Sequence, residues 1–155
     1  MADPADYHAR WRRNTALADA VATSLPDGRD WEIVLRFYGA LHLVEGFMRT
    51  KPDRFWSESH EARGLKLRGE LETRRAAGPY RNLLDLSKDV RYDPRFAPTE
   101  RDFANAKQWA STLESFFKAK LERALPPAAP AAAVAAPSVA SAPADPPGAG
   151  DPPDS

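Results

Sequence analysis

The stretch DWEIVLRFYGALHLVEGFMRT, residues 30 to 50, constrains the chain more than any other. Its apolar residues, among them Ile33, Val34, Leu35, Phe37, Leu41, Leu43, Val44, Phe47 and Met48, fall around most of a helical circumference. A helix that is apolar nearly all round has to be enclosed by neighbours, so this segment is expected to be the central element of a helical core. Asp30 is a natural N-cap and Pro52 stands just past the end, which sets a helix of about 20 residues, roughly 30 Å long. Arg36, Glu45 and Arg49 interrupt it, so it falls short of the roughly 18 unbroken apolar residues that a bilayer span needs.

The rest of residues 1 to 125 supplies those neighbours. Pro4 suits a first helical turn, and Tyr7, Trp11, Ala18, Val21 and Leu25 follow helical spacing up to the turn LPDGRD, predicting a helix over about 5 to 24. Ser57 or Ser59 can cap a weaker helix over SHEARGLKLRGELETRR, in which Gly64 and Gly69 each cost roughly 1 kcal/mol against alanine. Gly78 and Pro79 read as a stop and a restart, after which YRNLLDLSKDVRY turns Leu83, Leu84, Leu86 and Val90 inward. Thr99 and Asp102 resemble a capping box ahead of the clearest amphipathic helix, with Phe103, Ala106, Ala110, Leu113, Phe117 and Leu121 on one face. No strand-type alternation, glycine-rich phosphate loop or internal repeat occurs. The expected fold is all-α, an up-and-down bundle of four to five helices.

Composition changes abruptly at Leu125. Residues 126 to 155 hold nine prolines and eleven alanines without an aromatic residue, so they have little surface to bury against the entropy of ordering. They are expected to form a disordered Pro/Ala-rich tail, a tether or a solvated extension, beside one helical domain over 1–125. The whole chain has no net charge, while residues 1 to 125 carry 22 basic against 19 acidic side chains, an excess of +3 that does not by itself indicate nucleic acid. The N-terminus lacks the apolar core of a secretory signal, so a cytoplasmic protein without membrane contact is expected. Absence of cysteine rules out disulfides, a thiol nucleophile and a thiolate metal site. His8, His42 and His60 stand too far apart for a helical ligand pair, and neither a metal nor a cofactor is expected.

Two polar stripes carry what chemistry there is. At about 100° per residue, Tyr38, His42, Glu45 and Arg49 fall within a narrow sector of the central helix, spaced so that Tyr38 can meet His42 and Glu45 can pair with Arg49. The stripe is expected to satisfy itself along one face. Arg81, Asp85, Lys88 and Tyr92 repeat that spacing on a later helix. Two such ladders on neighbouring helices would form a polar seam able to bind a phosphate, an RNA backbone or a second subunit. Trp56, Tyr80 and Tyr92, set among arginines, could stack on bases or belong to the core. No carboxylate pair or serine arrangement points to a glycosidase or serine hydrolase.

FYGALHLVEGFM, a loop with SH, then PYRNLLDLSKDVRYDP and a long final amphipathic helix together resemble the HEPN superfamily of bacterial and archaeal helical domains, in its small stand-alone members. The resemblance spans about residues 30 to 122. It rests on Phe37, Tyr38, Ala40 and His42, on Ser59 and His60, and on Leu83, Leu86, Arg91, Tyr92 and Asp93. It implies a four- or five-helix bundle, often dimeric, acting in toxin-antitoxin modules, antiviral defence or RNA processing. Catalytic members are metal-independent ribonucleases with an arginine, four to six residues and a histidine on a late helix. Here that helix has Arg81 and Arg91, and no histidine follows His60. Arg36 with His42, and Arg54 with His60, fit the spacing elsewhere.

The expectation is an interaction or RNA-binding module whose nuclease motif is degenerate, in a bacterial toxin-antitoxin or antiviral defence system. Its partners would be a second copy of the chain, RNA, or a nucleotidyltransferase-like or other defence-system protein. Catalytic candidates are His60, Arg54 and His42. Binding candidates are Tyr38, Glu45, Arg49, Arg81, Lys88, Arg91 and Tyr92. The alternatives are an active metal-independent endoribonuclease using a relocated Arg/His pair, and a structural dimerisation or scaffold domain.

Overall fold

The computed structural model describes residues 3–51 and 59–125. Arg54, Trp56 and the Pro/Ala tail lie outside the described residues, as do Pro52 and Ser57. Five α-helices make up nearly all of the described chain: α1 (Pro4–Ser24), α2 (Asp30–Arg49), α3 (His60–Gly69), α4 (Arg74–Tyr92) and α5 (Glu100–Ala124), with a single 3-10 turn, Pro26–Gly28, between the first two. Among the described residues there is no strand, and no helix is long and apolar enough to cross a membrane.

The four long helices, α1, α2, α4 and α5, run alternately up and down, and the side-chain pairings give their directions. On α1 and α2, Asp19 reaches Arg36 and the Tyr7 ring lies against His42, an antiparallel match. Between α2 and α5, Arg29 meets Glu100 at one end and Phe47 meets Phe117 at the other, so these two are parallel. Arg91 of α4 binds Tyr38, near the middle of α2, while the earlier Tyr80 lies toward the Glu45 end, so α4 opposes α2. Helix α2 packs on α1, α4 and α5, and α3 packs on α4. The central position read for residues 30 to 50 is thus realised: Ile33, Phe37, Leu43 and Val44 have no more than rounding-level exposure. Fully burying each such side chain contributes about 1.5–3 kcal/mol.

Gly46 permits the closest approach to α2. A Cβ there would lie 2.9 Å from Leu121 Cδ2 and 3.0 Å from Tyr7 Cβ, so α1 and α5 come together over a position where a methyl group would force its neighbours to shift. The capping box at Thr99 and Asp102 is present, and α1 opens with another, Asp3 and Asp6. Leu83, Leu84 and Leu86 are buried as expected, with Val90 partly so.

Three boundaries differ from expectation. Asp30 is the first residue of α2 rather than its cap, and Arg29 holds the N-cap position without a side-chain bond. Helix α3 stops at Gly69, capped at its start by Ser59, whose hydroxyl accepts from the Ala62 N–H at 3.1 Å. Gly78 and Pro79 do not interrupt α4, which begins at Arg74 and runs through them. The proline removes a single intrahelical donor, and the clash of its ring with a preceding Cβ is absent because that residue is glycine. Burial of Ala76, Ala77 and Tyr80 on both sides of the pair then holds the helix together.

Candidate ligand groove between α3 and α4

The stripe on α2 does not close on itself. Tyr38 does not bond His42: its hydroxyl accepts from Arg91 Nη1 at 3.0 Å. His42 instead lies against the Tyr7 ring on α1, centroids 6.0 Å apart, and Arg49 stands over the same ring at 4.8 Å. Glu45 pairs with Arg49 only at 3.8 Å, while its other oxygen takes a close hydrogen bond from Arg63 Nε. Tyr38, His42 and Glu45 therefore find partners on other helices, because α2 is enclosed and its polar groups have to be satisfied by whatever packs on them.

Arg63 is the residue that the sequence reading missed. It is 7% exposed, one turn into α3, and bonds three groups at once. Nε donates to Glu45, and Nη1 donates to the Tyr80 hydroxyl at 3.2 Å and to His60 Nδ1 at 3.1 Å. Its signal was present in SHEAR: a serine cap followed by residues at the first and fourth helical positions, which share a face. Burial raises the Tyr80 hydroxyl above its usual pKa, against the pull of Arg63, so Tyr80 stays protonated.

His60 begins α3 and packs edge-on against Phe37, centroids 5.3 Å apart. An arginine can only donate, so the bond to Nδ1 makes that atom the acceptor and leaves Nε2 as the ring N–H. Its pKa is lowered by burial first, then by Arg63, Arg91 and Lys88. His60 is therefore a neutral donor whose lone pair is already engaged.

Beside it lies a groove of about 170 Å³ between α3 and α4. His60, Arg68, Arg81 and Lys88 line it with Glu61 and Asp85, over a floor that includes Ala77, Tyr80 and Leu84. Arg81 is paired with Asp85 at 2.9 Å, whereas Lys88 is exposed and makes no ion pair among the described residues. The polar seam expected between the two striped helices forms instead between α3 and α4, with the α2 stripe behind it and reaching it through Arg63.

At the end of this face, Arg91 donates from Nε to the Ser87 carbonyl at 3.0 Å and stands 4.9 Å from the centre of the Tyr92 ring. Tyr92 is 72% exposed. Of the described catalytic candidates, His60 lines the groove and His42 does not. His42, with a pKa lowered by burial and then by Arg10 and Arg63, lies on the α1 side. Arg36 is held by Glu32 at 2.8 Å and Asp19 at 2.9 Å, away from His42, so that spaced pair is not brought together. Arg54 lies outside the described residues. No group of three or more potential metal ligands occurs among the described residues.

Comparison with known proteins adds no relative: no family model, no curated protein and no solved structure matches the chain.

Proposed function

We propose that the chain is a HEPN-like helical module that binds RNA through the α3/α4 groove and does not cleave it, serving a bacterial toxin-antitoxin or antiviral defence system. The observation that carries this reading is the groove itself: His60, Arg68, Arg81 and Lys88 face a single channel with Lys88 uncommitted to any described carboxylate. Phosphate oxygens accept from such groups without regard to sequence. The state of His60 argues against general-base catalysis. Its Nδ1 lone pair is taken by Arg63 and its Nε2 bears the proton, so the ring offers a phosphate a hydrogen bond rather than a base.

The test is binding of a labelled single-stranded oligoribonucleotide by fluorescence anisotropy at two salt concentrations. Lys88→Glu should weaken binding severalfold and flatten its salt dependence. Unchanged binding by Lys88→Glu would sink the reading. Cleavage of RNA in the presence of a chelator, lost in His60→Ala, would replace it with the ribonuclease alternative. One observation favours that alternative: an arginine, Arg63, does contact His60 in the groove.

A further inference from the structure

Tyr92 extends the groove in a direction that phosphate binding alone does not explain. Arg81, Asp85, Lys88 and Tyr92 succeed one another along one face of α4 at intervals of three or four residues. Tyr92 therefore follows Lys88 by about 6 Å along the helix axis, at about 1.5 Å per residue. Its ring is 72% exposed although it belongs to a helix whose other large apolar side chains are turned inward. Arg91 holds it from the side: the guanidinium lies 4.9 Å from the ring centre, and Nη1 donates to the Tyr92 hydroxyl at 3.4 Å and to the Tyr38 hydroxyl at 3.0 Å. The arginine is anchored in turn by the Ser87 carbonyl. An exposed aromatic ring with a fixed cation beside it, one turn from a lysine that has no ion pair among the described residues, combines the two elements that hold single-stranded nucleic acid: a surface for a base and a charge for the adjoining phosphate.

We propose that Tyr92, steadied by Arg91, is a nucleobase-stacking subsite that receives a base of single-stranded RNA whose phosphate is held at Lys88. This deepens the RNA-binding reading and rests on it. A duplex would not fit the subsite, because its bases are already stacked on one another. An acidic or phosphorylated protein segment could use the lysine but would have no use for the ring.

The experiment compares two labelled probes of equal length on the full chain: an oligoadenylate and an abasic ribose-phosphate oligomer with the same number of phosphates. The oligoadenylate should bind roughly tenfold more tightly. Tyr92→Leu should remove that difference and leave the abasic affinity unchanged, while Tyr92→Phe should retain it. Because Tyr92 is exposed, the variants should keep the wild-type helical circular dichroism. Equal binding of both probes by the wild-type chain would overturn the stacking subsite and leave a polyanion groove, suited to RNA backbone or an acidic protein. A preference that survives Tyr92→Leu would also overturn it. Binding of neither probe would overturn the RNA-binding reading as well.

Discussion

Two carboxylates on the same central helix have opposite surroundings. Glu32 is completely buried and meets Arg36 Nε at 2.8 Å, Lys107 at 3.5 Å and Arg29 at 3.8 Å. Two of those cations are matched outward, Arg29 by Glu100 and Arg36 by Asp19, and Lys107 is half-exposed, so the cluster ends at the surface and joins α1, α2 and α5. Glu45 is nearly as buried, on the other side of α2, and its arginine passes the connection on to Tyr80 and His60 at the wall of a groove. The Glu32 cluster fastens helices and borders a smaller pocket of about 70 Å³ through Arg36 and Lys107. The Glu45 cluster fastens α3 and at the same time sets the tautomer of a histidine that lines the larger groove. Burial of charge is common to both, and what distinguishes a candidate site is where the chain of bonds ends.

The largest effects should come from breaking either cluster at its centre. Glu45→Ala leaves the buried Arg63 without its anion and should cost about 3–5 kcal/mol in urea denaturation, and Glu32→Ala should cost less, because Arg29 and Arg36 keep Glu100 and Asp19. The contrast should appear in what survives. In conditions where both variants remain folded, Glu32→Ala should bind RNA as the wild type does, whereas Glu45→Ala should lose affinity as Arg63 releases His60. Equal loss of binding in both would dissolve the distinction.

Gly46→Ala should rank next, at about 1–3 kcal/mol, because its methyl group would press on Leu121 and Tyr7 where α1 and α5 close over α2. Thermal denaturation measures it. RNA affinity should not change, since the pressure falls on the side away from the groove.

Acid should act on His60 in the Glu45 cluster and on His42 on the α1 side, and spare the Glu32 cluster, which contains no histidine. His60 and His42 both have pKa values lowered from 6.5, so the unfolded chain takes up protons more readily than the folded one. Their contribution to stability is therefore complete above about 6.5 and declines as pH falls from there through the lowered folded values. A denaturation series from pH 8 to 5, above the range where most carboxylates titrate, should show this decline, and the double variant His42→Asn, His60→Asn should flatten it. The smallest stability effect belongs to Lys88→Glu, within about 0.5 kcal/mol, although its effect on RNA binding should be large.

Much of the fold was legible because burial imposes a period on sequence. Leu113, Phe117 and Leu121 recur at helical spacing and are all fully buried, and Thr99 with Asp102 announced the start of α5 through a local pair of hydrogen bonds. Local signals failed where tertiary packing overruled them. Gly78 and Pro79 resemble a break, yet the burial of Ala76, Ala77 and Tyr80 outweighs one missing backbone hydrogen bond. The candidate site was legible in part: Arg81, Lys88 and Tyr92 were singled out from spacing and residue type and His60 from the resemblance to HEPN domains, while Arg63 was passed over as one of the chain's 16 arginines.

By itself the sequence determined the helical class, the central place of residues 30 to 50 and the faces that α4 and α5 turn inward, since each follows from periodicity and caps within a single segment. Only the tertiary structure decided which groups meet. Glu45, Arg63 and Tyr80 are far apart along the chain, and no rule of spacing joins them. They come together because α2, α3 and α4 converge around Phe37, and because charges carried into that interior are stable only where a partner arrives from another helix.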